Sequence, residues 1–307
     1  MTTETKNYRS GFIAIVGRPN VGKSTLMNRL VGETVAIATH KPQTTRDRIR
    51  GIRTDASSQV IYVDTPGIHE ARTLLNRYMV NLAVATLMET DLVYLVVDAA
   101  HMASKPEQVR EQTGRIVEAI VESGSKAFAV LNKVDRVPDK ADLLPMIETL
   151  GGLHDFEAIV PISATTGVGL DALDAESLSR LPEGPALFPE DQLTDRPMRF
   201  IAGEMIREQL FLQLKQELPY HTAVGVDSWT EEDHLVVVQA TIHVGRDSQK
   251  GMVIGKRAER LKSIGKAARV RLERFLDRKV YLDLRVRVEA KWTERGAGLR
   301  KLGYGGN

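Results

Sequence analysis

Gly17 to Thr25 reads GRPNVGKST, and these residue types at this spacing are suited to holding a chain of phosphates. Gly17 and Gly22 let the backbone curl around Arg18, Pro19, Asn20 and Val21 until successive N–H groups point at anionic oxygens. A helix beginning near Lys23 adds the positive end of its dipole. Lys23 is expected to reach the β and γ phosphates of a nucleoside triphosphate, Ser24 to place its hydroxyl on Mg2+, and Thr25 completes the pattern.

Three further clusters follow. Asp64-Thr65-Pro66-Gly67 is expected to hold the Mg2+ through water at Asp64 and to meet the γ-phosphate with the Gly67 N–H. Asn132-Lys133-Val134-Asp135 reads the base. The Asp135 carboxylate can accept from N1–H and the exocyclic amine of guanine, Lys133 lies along the base, and Asn132 ties the loops together. Adenine offers neither donor, so the wrong base leaves buried polar groups unpaired at roughly 1–3 kcal/mol each. In Ser163-Ala164-Thr165 a backbone N–H, assigned to Ala164, is expected to donate to guanine O6. A polar segment from about Glu33 to Arg48 reads as a mobile loop, in which Thr44 and Thr45 are both candidates for Mg2+ and the γ-phosphate, Thr45 being favoured. The expected Mg2+ set is thus Ser24, Thr45 and Asp64, and the catalytic set Lys23, Thr45 and Gly67. In this order the clusters are specific to proteins that bind GTP and hydrolyse it to GDP.

Ile68 stands where Ras-like enzymes have a water-orienting Gln, so slow intrinsic turnover is expected. Asn20 occupies the position that helps coordinate K+ in some related GTPases, which predicts K+ stimulation.

The elements that must position these residues are legible around them. Phe12–Val16, Gln59–Asp64, Leu92–Asp98, Lys126–Leu131 and Ala158–Ile162 are short, nearly all-apolar runs with helical stretches between, the pattern of a parallel sheet covered on both faces. Leu26, Leu30 and Val31 continue the first helix, which Gly32 ends. Leu170, Leu173 and Leu178 suggest a closing helix. At 307 residues two domains are expected. The chain has no Cys, which excludes disulfides and thiolate metal sites. It shows neither a secretory h-region nor a long apolar run, so a cytoplasmic location is expected.

Leu181 to Pro197 carries Pro182, Pro185, Pro189 and Pro197, through which no helix or strand can run. With Leu187 and Phe188 in it, this boundary segment is too apolar for a free tether and is expected to pack across the junction. Beyond it the order is helix, strand, strand, helix, turn, helix, strand. Leu261, Ile264, Ala268, Leu272 and Phe275 form the stripe of the last helix, with Lys262, Lys266 and Arg269 away from it. The net charge of +2 conceals an asymmetry: residues 246–307 carry 18 Lys or Arg against 7 Asp or Glu, and the preceding ones 24 against 33. A basic end of this kind suits a polyanion, nucleic acid or an anionic membrane surface. Val253-Ile254-Gly255-Lys256-Arg257-Ala258 resembles the V-I-G-x-x-G element of a type II KH domain, a module that binds single-stranded RNA. Ala258 replaces the family's second Gly, while Lys256 and Arg257 keep charge at the tip.

With its motif set and domain order, the chain from about Gly11 to Trp292 resembles the Era family of bacterial GTPases, and Leu302-Gly303-Tyr304 fits that family's tail. The resemblance implies an α/β P-loop GTPase domain with a mostly parallel sheet over 9–181, a Pro-rich linker over 182–197, a smaller α+β type II KH domain over 198–293 and a tail over 294–307. It also implies GTP-dependent binding near the 3′ end of 16S ribosomal RNA, a role in 16S processing and 30S subunit biogenesis, and peripheral association with the inner membrane. A monomer is expected for want of a symmetric apolar face. Two other classes stay open: a GTPase whose KH-like module docks protein or membrane, told apart by loss of RNA binding, and an RNA binder in which GTP is structural, told apart by absence of hydrolysis.

Overall fold

The computed structural model describes residues 8–69 and 73–304 and divides into two compact units. The first comprises Met1–Ala38, Thr45–His69 and Met79–Asp195; the second comprises Thr39–Thr44, Glu70–Tyr78 and Arg196–Asn307.

In the first unit, strands β1 (Arg9–Gly17), β2 (Ile49–Asp55), β3 (Ser58–Asp64), β4 (Leu92–Asp98), β5 (Ala127–Asn132) and β6 (Ala158–Pro161) form one sheet in the order β2-β3-β1-β4-β5-β6. All neighbours are parallel except β2, which runs antiparallel to β3 at the edge. Helices α1 (Lys23–Val31), α2 (Leu74–Leu87, of which Met79–Leu87 belongs to this unit), α3 (Ala99–Ser104), α4 (Pro106–Ser123) and α5 (Leu143–Gly151) are threaded between the strands, and α6 (Leu170–Arg180) follows the last of them. Residues of β3, β4 and β5 are buried from end to end or nearly so, because both faces are covered. Gly32 caps α1 in the left-handed conformation at φ 87°, as its position predicts. The apolar runs therefore end side by side at the carboxyl edge of one sheet, where the four motifs lie.

The Pro-rich segment belongs to this unit as far as Asp195. Ser10 N–H donates to Pro182 O at 3.1 Å, and Ser10 Oγ to Pro185 O at 2.7 Å. Gln59, fully buried on β3, accepts from the N–H groups of Leu187 and Phe188 and donates to Phe188 O. Phe188 stands edge-on to Phe12 at 6.5 Å, and Arg50 pairs with Asp195 at 2.7 Å. A polar residue in an apolar strand is thus satisfied by backbone that cannot enter a sheet of its own.

In the second unit α7 (Met198–Gln213) precedes β7 (Thr222–Glu231) and β8 (Leu235–Val244), then come α8 (Asp247–Ile254), α9 (Glu259–Leu276), β9 (Lys279–Val288) and α10 (Gly296–Lys301). The sheet has β8 in the middle, antiparallel to β7 and parallel to β9. Its core gathers Ile206, Leu210, Ala240, Ile242, Val253, Ile264, Ala268 and Val286. Along β9, Val280 is buried and Tyr281 exposed, as the alternation predicts. Trp292 is buried, donates from its indole to His221 O at 3.0 Å, and stacks on Tyr304.

Candidate functional site

The loop between β1 and α1 is built by backbone that few residues can adopt. Gly17 has φ 148°, Asn20 φ 66° and Gly22 φ 103°. A Cβ on Gly22 would lie 2.4 Å from Asn132 Nδ2, so this glycine is required by the side chain that crosses it. Asn132 donates from Nδ2 to Val21 O at 2.9 Å and accepts at Oδ1 from Ala164 N–H at 3.0 Å. One carboxamide joins the phosphate loop, the end of β5 and the loop after β6. That tie was legible in the residue order; its second half was not, because Ala164 N–H is the amide expected to face guanine O6. The next amide, that of Thr165, an exposed residue, makes no hydrogen bond among the described residues.

Lys133, at φ 68°, bonds through Nζ to Asn20 O at 2.6 Å and to Asp98 Oδ2 at 2.7 Å, which lays its stem across the loop. Asp135 sits on a short 3-10 turn, Val134–Arg136, with its carboxylate exposed and unpartnered among the described residues. Pro19 packs against Gly67, where a Cβ would come within 2.7 Å of Pro19 N, and Ile68 N–H donates to Gly17 O at 3.1 Å. Thr65, fully buried, donates to Ile15 O, which leaves Pro66 and Gly67 to turn the chain toward the loop. Burial lowers the Arg18 pKa. Val21 is buried and Thr25 half-buried, both supporting the loop from behind.

Ser24, Thr45 and Asp64 come together. Ser24 Oγ donates to Asp64 Oδ2 at 2.6 Å, Thr45 Oγ1 donates to the same oxygen at 3.0 Å, and the two hydroxyls are 3.0 Å apart. Asp64 is fully buried, its Oδ1 has no partner, and burial raises its pKa against the opposing pull of Lys23 and the hydroxyls. An orphaned carboxylate oxygen beside two hydroxyls is a hard-oxygen donor set, and it fits Mg2+, which takes few protein ligands and completes its shell with water and phosphate. Thr44 goes elsewhere: its hydroxyl bonds Thr39 Oγ1 at 2.6 Å and Lys41 O at 2.8 Å. Lys23 is 6% exposed and donates to the carbonyls of Gly17 and Arg18 at 3.2 and 3.0 Å. Desolvation lowers its pKa to about 8.

The segment expected to be a mobile loop is in part docked. Val35, Ala36 and Ile37 are buried, and Asn28 of α1 holds them through Val35 N–H, Ala36 N–H and Ala36 O. Polarity alone concealed this, because the apolar triplet is too short to show a period.

In the second unit, α8 and α9 are joined at Gly255-Lys256-Arg257-Ala258. Gly255 has φ 73° and ψ 175°, a glycine conformation, while Arg257 (φ 50°) and Ala258 (φ 61°) are left-handed. Lys256, Arg257, Lys262, Lys266 and Arg269 are exposed, and their side chains have no partner among the described residues. Lys262, Lys266 and Arg269 fall on one face of α9 at helical spacing. Val253, expected to touch RNA, is instead fully buried in the core, with Ile254 half-buried against it. Apolar residues before a glycine turn serve the core first, and these two support the loop from beneath.

A family model described as a 50S ribosome-binding GTPase matches residues 12–133, and one described as a KH domain matches residues 217–293. GTPase Era of Syntrophus aciditrophicus is 48% identical over 97% of this chain and 95% of its own length. The chain belongs to the Era GTPase family. GTPase Era of Geobacter metallireducens is likewise 48% identical, over 97% of this chain and 98% of its own. A crystal structure of Aquifex aeolicus Era bound to GDP·AlF4− superposes with a TM-score of 0.89 at 38% identity, covering 96% of this chain and 99% of that one. An Era structure in complex with MgGDPNP and nucleotides 1506–1542 of 16S ribosomal RNA matches with the same TM-score and identity, over 97% and 99%. The Era fold, a P-loop GTPase domain with a mostly parallel sheet followed by a KH domain, is the architecture described above. Among the described residues no helix is long and apolar enough to cross a membrane.

Proposed function

We propose that this chain is a GTP-hydrolysing switch that binds 16S ribosomal RNA near its 3′ end and acts in 16S processing and 30S subunit biogenesis. The observation that carries the reading is the meeting of Ser24, Thr45 and the orphaned Asp64 carboxylate beside the phosphate loop, in a chain that also presents an unpaired cationic KH loop. End-to-end likeness to an Era crystallised with MgGDPNP and a 16S fragment supports joining the two.

Guanine is held at Asp135, with Lys133 beneath it and the Thr165 N–H as the amide available to O6. The phosphates lie on the backbone N–H groups of the Asn20–Ser24 turn and on Lys23, which leaves the loop carbonyls for them. Ser24, Thr45 and Asp64 hold Mg2+, which when bound offsets charge on the transferred phosphoryl group. Gly67 N–H and Thr45 orient the γ-phosphate, so loss of that phosphate releases both segments. Water attacks phosphorus and GDP leaves, but Ile68 offers no polar atom to aim the water. Turnover is therefore slow without help; Asn20 would be the residue to hold a K+ ion, which would supply positive charge beside the phosphates.

On the RNA side, Lys256 and Arg257 clamp the backbone while Lys262, Lys266 and Arg269 line its path, with Gly255 and Ala258 shaping the turn and Val253 and Ile254 supporting it. The GTP form binds RNA and hydrolysis releases it. The protein acts as a cytoplasmic monomer whose basic end also makes peripheral contact with the anionic inner membrane. The test is affinity for a single-stranded RNA from the 16S 3′ end, measured with a non-hydrolysable GTP analogue and with GDP across salt. Tighter binding in the analogue form is expected; weak binding in both refutes the reading and favours a docking module.

A further inference from the structure

An open cleft of about 390 Å3 lies wholly within the second unit, beside the KH loop, and no part of the reading above uses it. Its walls come from the end of α7 and the segment after it, the first turn of α8, and Met252 of α8 and Arg260 of α9 on either side of the loop. The Arg260 guanidinium donates to Met252 O, so the loop's base and the cleft's rim are one structure. That volume falls within the roughly 300–1,000 Å3 of small-ligand pockets.

The lining is cationic. Lys215, Arg246 and Arg260 face it against one carboxylate, Glu217. The side chains of Lys215 and Arg246 make no hydrogen bond or ion pair with any described residue. Lys215, Arg246 and Arg260 are all exposed, and a concavity lined mainly by one sign of charge focuses its field and draws an anion to it. Carboxamides, among them Gln216 at φ 53°, supply both donors and acceptors, and Met252, 53% exposed, offers an apolar surface. Phosphate for the cations, a base edge for the amides and a base face for the thioether are the parts of one nucleotide. A protein partner is disfavoured, since lysine is depleted and aromatics enriched at such interfaces, and this cleft has no aromatic.

We infer that single-stranded RNA held at the KH loop continues past Arg260 into this cleft, where Lys215 and Arg246 take a further phosphate. The inference rests on the reading that the KH loop binds RNA. The test uses the full chain loaded with a GTP analogue and two 16S 3′-end oligonucleotides, one of about four nucleotides, the length a KH loop clamps, and one about twice as long. The longer RNA should bind more tightly. Lys215→Gln with Arg246→Gln should lower its affinity about tenfold and flatten the slope of log K against log salt by about 0.7, the value for one single-strand phosphate contact, leaving the short RNA unaffected. Unaltered binding of the long RNA, or equal loss for both lengths, overturns the cleft. Lys256→Glu with Arg257→Glu separates the two ideas: loss with this variant but not with the cleft variant refutes the cleft alone, and loss with neither refutes RNA binding at the loop. Thermal melting verifies that each variant is folded, and Lys215→Arg with Arg246→Lys should restore the slope.

Discussion

Replacing Ala258 by Gly should stabilise the second unit. Ala258 stands at φ 61°, ψ 20°, where an L-residue with a Cβ pays about 1–2 kcal/mol that glycine does not. Against this, glycine gains conformational freedom in the unfolded chain, which costs about 0.4–1 kcal/mol. The net is a gain of roughly 0.5–1 kcal/mol, because the steric relief is larger than the entropy lost. For a unit of this size that corresponds to a rise in Tm of about 2–6 °C in its own transition, read by calorimetry on the full chain. Gly255→Ala should act in the opposite sense: at φ 73° and ψ 175° its Cβ would also sit 2.9 Å from Arg260 Cβ. Since Ala258→Gly leaves Lys256 and Arg257 in place, the salt dependence of RNA binding should not change. A Tm equal to or below that of the parent protein refutes the left-handed assignment and the reasoning built on it.

Nucleotide binding should take up a proton above about pH 8. Burial lowers the Lys23 pKa to about 8, and phosphates favour its charged form, so the bound pKa is higher. Calorimetry in buffers of different ionisation heat should show uptake at pH 9 that is absent at pH 7 and in Lys23→Gln. The sign for stability follows from the same shift: between about 8 and 10.5 the unfolded chain binds more protons, so the nucleotide-free protein gains stability as pH rises through that window. Asp135→Asn should exchange guanine for xanthine preference, with GTP affinity falling about 30- to 150-fold for the roughly 2–3 kcal/mol of charge-assisted bonds lost; unchanged affinity removes the base-reading role. Hydrolysis should be faster in K+ than in Na+ at matched ionic strength, and equal rates remove Asn20 from cation binding.

Much of the first unit was readable because its strands are continuous apolar runs that end in polar motifs, and because each motif demands residues no other turn needs. The edge strand β2 and helix α2 were not read. IRGIRTD alternates arginine with isoleucine and breaks at Gly51, and its strand identity comes from pairing with β3 and from Val31, which a Cβ on Gly51 would meet at 2.7 Å. In α2, apolar residues surround most of the helix, so no face stands out.

By itself the sequence determined the identity of the groups: a phosphate loop, a guanine-reading carboxylate, a KH-like turn with cations at its tip, and a break at the prolines. These are local properties, set by residue type and spacing along one stretch of chain. Tertiary structure decided which of two adjacent threonines meets Ser24 and Asp64, that Asn132 occupies the Ala164 amide, that Val253 is core, and that Gln59 is satisfied by the linker backbone. Each of those outcomes depends on a partner far away in the chain, and hydrogen bonding and burial are properties of pairs brought together in space rather than of either residue alone.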